Sequence, residues 1–237
     1  MTQKNPHLFT WLGHSTLLVR DKNGTEIIID PWLAGNPACP ERFRNLSKAD
    51  LILLTHAHFD HIGDAVPLAK SSGGETVGIF ELCAWLGKKG VDRTHPMNKG
   101  GTQTVAGVSV TMVHADHSCG ISDGDTILYG GEAAGYVVEL SDGFRFYHAG
   151  DTNIFSDMRL IRELYRPEFV CLPIGDLYTM GPREAAMAVN FLEPKTVLPL
   201  HHGTFPALTG TPETFGRLIA DSNCRMLSVR PGEPFSI

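Results

Sequence analysis

The sequence predicts a layered α/β sandwich, and three observations carry that expectation. β-Hairpins come first along the chain and strands alternating with helices come later, the order expected when sheets are covered by helices on an outer face. Apolar residues make up 42% of the 237 positions, enough to fill a continuous core. Segments bearing histidine and aspartate each follow a predicted strand, so they would gather along one sheet edge beside the loops that shape a cleft. No Pro-, Gly- or Ser-rich linker and no short-period repeat divides the chain, and residues 1–237 are read as one domain.

The elements follow in order. Residues 17–19 and 26–30 form a hairpin across Asp21-Lys22-Asn23-Gly24, where Asn-Gly supplies the positive φ of a tight turn. Residues 50–55 are a short unbroken apolar run, as expected of a strand covered on both faces. A second hairpin is expected at 136–140 and 144–148 around Ser141-Asp142-Gly143, with buried strands at 169–172 and 196–200. Helices are expected at 157–166, with Met158, Ile161, Leu164 and Tyr165 on one side, and at 183–192, with Ala186, Val189 and Phe191 near one face. Pro182 and Pro212 suit first helical turns, the latter after Thr211 as N-cap.

The formal charge of −6 is spread over interspersed acids and bases, which excludes a phosphate-tracking basic stripe and makes nucleic acid a poor partner. No stretch approaches the roughly 18 to 20 apolar residues that span a bilayer. The polar start from Met1 to Pro6 lacks a signal-peptide core, so a cytoplasmic location is expected. Five cysteines, an odd number without a C-x-x-C pair, argue against a disulfide framework.

Eleven histidines against five tyrosines is an unusual balance. Thr55-His56-Ala57-His58-Phe59-Asp60-His61 packs four potential metal ligands into six residues directly after a buried strand. Alternate residues of an extended segment point the same way, so His56 and His58 can converge on one ion while Asp60 and His61 turn toward a second. Imidazoles with a carboxylate suit zinc, manganese or iron(II), and no thiolate-rich set argues for a closed structural site. Further ligands must come from Val113-His114-Ala115-Asp116-His117-Ser118, His148-Ala149-Gly150-Asp151-Thr152 and Leu200-His201-His202-Gly203-Thr204. Spacing alone leaves His114 against His117, and His201 against His202, open.

Together with Trp11-Leu12-Gly13-His14-Ser15-Thr16, Ile29-Asp30-Pro31, Asn98-Lys99-Gly100-Gly101, Ala134-Gly135-Tyr136, Pro173-Ile174-Gly175-Asp176, Met180-Gly181-Pro182 and Gly203-Thr204-Phe205-Pro206, these motifs resemble the metallo-β-lactamase superfamily. The likeness is greatest to its uncharacterised family of small metal-dependent hydrolases. More distantly the chain is similar to the phospholipase D that acts on N-acyl phosphatidylethanolamine and to a bacterial ascorbate phosphate lactonase. The resemblance implies the four-layer αββα sandwich of the metallo-β-lactamase fold and two divalent ions, zinc first, with manganese or iron(II) as alternatives. It implies that His56, His58 and His117 bind one ion, that Asp60, His61 and His201 bind the other, and that Asp151 bridges them. It favours His117 over His114 and His201 over His202, although His202 stands where the family usually has an aromatic residue. His14, His148 and Asp30 are candidates for orienting ligands. Cys119 is read as a small buried residue, His7 and His95 as surface or packing residues, and Met180-Gly181-Pro182 as a turn beside the cleft or simply a helix start.

The expected chemistry is hydrolysis by a metal-bound hydroxide, its pKa lowered toward neutrality, with Asp60 orienting it and His202 or His148 giving the leaving group its proton. The expected substrate is a small-molecule or lipid-like ester, either a phosphodiester or a lactone or other cyclic ester. A homo-oligomer stays open. Two other classes compete: a di-iron redox or oxygen-handling protein on the same fold, disfavoured because no flavin-binding extension is present, and a binding module, disfavoured because every ligand position is filled. A β-lactamase fits poorly without an export signal, and a nuclease fits poorly without basic charge or an added domain.

Overall fold

The computed structural model describes residues 6–237, so most of the polar N-terminal stretch discussed above, residues 1–5, lies outside the described residues. Strands β1 (Leu8–Trp11), β2 (Leu17–Arg20), β3 (Glu26–Ile29), β4 (Leu51–Leu53), β5 (Glu75–Ile79) and β6 (Thr94–Met97) build one sheet in sequence order. The second sheet takes β7 (Thr102–Val105) and β8 (Val108–His114). After a separate hairpin of β9 (Gly120–Asp123) and β10 (Thr126–Tyr129), it continues through β11 (Ala134–Glu139), β12 (Arg145–His148), β13 (Phe169–Pro173), β14 (Thr196–Leu200) and β15 (Arg225–Met226). Strand β16 (Pro234–Phe235) crosses back and pairs antiparallel with β1.

Each sheet opens antiparallel and finishes parallel. Parallel neighbours need a crossover, usually a helix. After the short α1 (Phe59–Ile62), the helices α2 (Ala65–Ser72) and α3 (Phe80–Lys88) connect the parallel strands of the first sheet. Helices α4 (Met158–Tyr165), α5 (Pro182–Leu192) and α6 (Pro212–Leu218) do so for the second. The result is the αββα sandwich, and the progression from hairpin to strand–helix alternation occurs twice rather than once.

Apolar packing follows these layers. Phe9 of β1 meets Phe169 of β13 at 5.2 Å and Phe146 of β12 at 5.5 Å, both edge to face, and stacks on Phe235 of β16 at 5.8 Å. This aromatic knot ties the two sheets together. A second core, with Val170, Leu172, Val189 and Phe215, lies between the second sheet and α4–α6.

Some expectations need correction. The strand expected at 50–55 is only three residues long, because the Thr55 amide leaves the ladder and donates to the Asp30 carboxylate at 2.8 Å. On α4, Met158 and Ile161 are buried, but Leu164 is 68% exposed, because at about 100° per residue it turns off the face that Met158 presents to the core. On α5 the buried face is Ala185, Ala186, Ala188, Val189 and Leu192, while Phe191 is half-buried with the Arg159 guanidinium 4.0 Å over its ring.

Phe9→Ala should lower unfolding free energy by about 3–5 kcal/mol, the usual cost of emptying a buried aromatic position. Urea denaturation checks this, and a loss below about 1 kcal/mol would show that the knot does not hold the sheets.

Candidate metal centre

Loops at one edge of both sheets bring the histidine- and aspartate-bearing motifs together. His56 and His58 follow β4, Asp60 and His61 lie on α1, His117 follows β8, Asp151 follows β12 and His201 follows β14. Backbone bonds clamp these loops to one another: His201 N donates to His14 O at 3.1 Å, Ala134 N to Thr55 O at 3.0 Å, and Asn153 N to Asp116 O at 3.0 Å. Gly150 permits one of the approaches. Its φ is +63°, and a Cβ there would lie 2.8 Å from both Ala134 O and Thr55 Cβ.

Three residues of the centre, His14 (φ 54°), Asp30 (φ 50°) and His201 (φ 54°), adopt left-handed backbone just beyond strand ends. Asp and His tolerate that region better than most side chains. At His201, the first residue after the strand, this backbone turn rather than strand alternation directs His201 and His202 to different sides. His201 is buried in the cluster, whereas the His202 ring packs 5.2 Å from Trp11, away from it.

The donor atoms form two outer groups and a third, His56, His61 and Asp151, that overlaps both sides of the cluster. In the first, His58 Nδ1 lies 3.0 Å from His56 Nε2 and 3.3 Å from His117 Nε2. The outer nitrogens explain why these three converge. The Thr55 hydroxyl donates to Asp30 Oδ2 at 2.6 Å, so its oxygen accepts from His56 Nδ1 at 3.1 Å and leaves the His56 Nε2 lone pair inward. Ser118 Oγ, 3.3 Å from His58 Nε2, does the same for His58. In the second group, one donor atom from each of His14, Asp60, His61 and His201 falls within 4.8 Å of the others. His61 Nδ1 donates to Asp30 Oδ2 at 2.8 Å, turning Nε2 inward. His14 donates from Nε2 to Asp60 Oδ2 at 3.0 Å, and its Nδ1 meets the Thr204 hydroxyl at 2.5 Å.

Asp151 joins the groups. Its Oδ2 lies 3.0 Å from His201 Nε2, 3.2 Å from His61 Nε2, 3.8 Å from His117 Nε2 and 3.9 Å from His56 Nε2. Its other oxygen is buried without a hydrogen bond, as are His61 Nε2 and both ring nitrogens of His201. Buried polar atoms are normally paired, and an inward set of orphaned imidazole and carboxylate donors is what a cation would satisfy. The residues present therefore fit divalent metal.

The electrostatics agree. Burial would raise the Asp151 pKa, but neighbouring His201 and His61 pull it well below the carboxylate range. Burial opposes protonation of His201 and His61, yet Asp151 outweighs it, lifting His201 to about 9 and His61 well above its ordinary value. Both shifts have one cause, the buried Asp151 carboxylate, whose negative charge favours positive charge at the centre of the cluster. Burial lowers the pKa values of His56, His58 and His117 despite Asp151 nearby, keeping those imidazoles neutral and able to coordinate. Burial likewise brings His14 down to about 4, so it donates one proton to Asp60 as a neutral ring.

The structure does not bring every candidate to the cluster. Buried His148 donates from Nε2 to Ser15 O at 3.0 Å and accepts the Gly150 amide on Nδ1 at 3.2 Å. With both nitrogens engaged it braces two loops, and neither it nor His202 lines the cavity over the cluster. His114 is exposed beside Phe155 and Lys99. Cys119 is buried with its thiol pushed up to about 11 by desolvation. His7 sits between Asp21 and Asp142, and His95 against Glu75. Met180 is buried and Pro182 begins α5. Sequence reasoning missed Thr55, Ser118 and Thr204 as orienting groups, although each adjoins a motif residue. It also missed Phe59, Tyr178 and Phe205 as cavity walls.

A buried imidazole–carboxylate cluster able to hold metal thus sits at the joined edge of two facing sheets, and curated relatives of the chain are named metal-dependent hydrolases. A metal-dependent hydrolase of Koribacter versatilis is 54% identical over 227 residues, covering 96% of this chain and 97% of its own. One from Solibacter usitatus is 53% identical over 225 residues, covering 95% and 97%. Residues 8–201 match the model of the beta-lactamase superfamily domain, and the chain belongs to the metallo-β-lactamase superfamily. Among solved structures, the metallo hydrolase Igni18 of Ignicoccus hospitalis superposes with a TM-score of 0.87 at 33% identity, covering 98% of this chain and 99% of that one.

Asp30→Ala should leave the fold intact and weaken metal affinity by about 10- to 100-fold, the usual effect of losing a partner that orients ligands. Chelator competition measures it, and unchanged affinity would show that Asp30 does not set the imidazole orientations.

Proposed function

We propose that this domain, spanning residues 1–237, is a dinuclear hydrolase of the cytoplasm that cleaves an ester, either a phosphodiester or a lactone or other cyclic ester. The single observation behind this reading is the position of Asp151 Oδ2, within 3.9 Å of imidazole nitrogens from both donor groups. In this reading His56, His58 and His117 hold one ion, Asp60, His61 and His201 hold the other, and Asp151 bridges them. Zinc suits the mixed imidazole and carboxylate set, and manganese or iron(II) are the alternatives. When bound, such a pair supplies an activated water at neutral pH and an electrophilic centre for the scissile oxygen.

The remaining work falls to side chains. Asp60, ionised and held by His14, lines the cavity and orients the attacking water. Asp30 and Thr55 keep His56 and His61 in the tautomers that present Nε2 inward. The cysteines at 39, 83, 119, 171 and 224 are all free, which accords with a reducing compartment. Among the described residues no helix is long and apolar enough to cross a membrane.

Protein prepared without chelator and supplied with zinc should carry close to two ions per chain; elemental analysis finding one or none would remove the dinuclear reading. Asp151→Asn should retain the fold and lose most hydrolytic activity, since an amide lacks the charge to hold two cations together. Unchanged turnover and metal content would show that Asp151 is not a bridge. His201→Ala should lose one ion and most turnover while His202→Ala keeps both ions; the reverse pattern, read from metal content and turnover together, would exchange their roles.

A further inference from the structure

The cavity above the cluster has a volume of about 630 Å³. Part of the donor set lines it, together with Phe59, Tyr178, Phe205, Pro206, Ala207 and Ser118. The aromatic wall is built in place rather than left loose. Trp32 lies behind it, stacked on Phe205 at 5.6 Å and edge-on to Phe59 at 5.9 Å. Tyr178 is set by two successive left-handed residues, Asp176 (φ 68°) and Leu177 (φ 57°), a strained arrangement that persists only where the surroundings enforce it. Here the Asp176 carboxylate enforces it, accepting the Leu177 amide at 2.8 Å and the Thr209 hydroxyl at 3.2 Å. Phe59 and Tyr178 are nevertheless 59% and 58% exposed, so among the described residues apolar surface is left uncovered at the opening.

Charge is as informative as shape. Among the described residues no Lys or Arg lines the cavity; beyond the donor set the lining side chains offer only the neutral hydroxyls of Ser118 and Tyr178. An anionic group lodged against the aromatic wall would lose hydration without gaining a partner. Transfer of a phosphoryl group also spreads charge over several oxygens that cationic side chains commonly help to neutralise, whereas attack on a carbonyl gathers it on a single oxygen.

We propose that the substrate is an uncharged carboxylic ester or lactone with an apolar body, seated against Phe59, Tyr178 and Phe205. This rests on the hydrolytic reading above and selects among its substrates. The water oxygen bonds to the acyl carbon, and the acyl C–O bond breaks with its electron pair on the alcohol oxygen. One water proton ends on that oxygen and the other leaves from the new carboxylic acid. A lactone therefore gives a single hydroxy acid.

The test uses metal-loaded full-length protein and three chromogenic substrates: p-nitrophenyl butyrate, the carboxylate-tipped mono-p-nitrophenyl succinate, and bis(p-nitrophenyl) phosphate. The butyrate should lead in kcat/KM by about tenfold or more, and Phe205→Ala and Phe59→Ala should each raise its KM several-fold with metal content unchanged. A readout independent of turnover is quenching of tryptophan fluorescence by 2-phenylcyclopentanone, a neutral ring that cannot be hydrolysed. Binding should saturate and weaken about tenfold in Phe205→Ala. Faster turnover of the succinate or the phosphodiester, or no ketone binding, would overturn the proposal. Saturable ketone binding with none of the three substrates hydrolysed would instead overturn the hydrolytic reading, leaving the cavity's preference for neutral apolar ligands in place.

Discussion

The centre depends on one carboxylate that is not among its inward-facing donors. Asp30 is fully buried and accepts three hydrogen bonds: from the Thr55 amide, from the Thr55 hydroxyl and from His61 Nδ1. Through the hydroxyl it also sets His56. One group therefore determines which nitrogen of two imidazoles faces inward, and those imidazoles belong to different halves of the donor set. An imidazole has one lone pair per neutral tautomer, so without that choice the convergence of His56 and His61 would be geometry without coordinating power.

Asp30 holds this position because the chain breaks its strand there. Left-handed backbone at Asp30, as at His14 and His201, turns a side chain off the sheet's alternation and into the space between the two sheets' edges. Such conformations cost of order 1–3 kcal/mol each in a non-glycine residue. Close packing around them offsets that cost: Trp11 Nε1 donates to His14 O at 2.9 Å, and Tyr136 Oη donates to Leu54 O at 2.8 Å. The aromatic residues of the quoted sequence motifs thus act as braces for loops.

Much of this was legible in the chain before folding, because the responsible signals are local. Asn23-Gly24 marks its hairpin, the apolar run ending at Leu54 announces a covered strand, and H-x-H-x-D-H after it declares metal chemistry. What was not legible depended on residues far apart. Strands β5 to β8 carry mixed polar and apolar residues and are strands because of their neighbours. Spacing alone left His202 and His201 open; the family resemblance favoured His201, and the backbone angle that sets the two apart is not encoded in adjacent letters. His148 had the right company for chemistry, and only the Ser15 carbonyl 133 positions away reveals its bracing part. The cavity walls are assembled from Phe59, Tyr178 and Phe205, three segments whose proximity no spacing rule predicts.

The pairing of β16 with β1, which joins Thr10 to Pro234, sets a timetable. As the chain is synthesised, β1 and β2 can pair at once, but the outer edge of β1 must wait for more than two hundred further residues before its partner exists. Open strand edges invite pairing with other chains, and contacts between distant positions form slowly because a long loop must close first. The inward-facing donors share the delay, since the set running from His56 to His201 is incomplete until β14 has emerged and docked. The full set of donors therefore exists only near the end of biogenesis, and a stalled or truncated nascent chain would present only part of it.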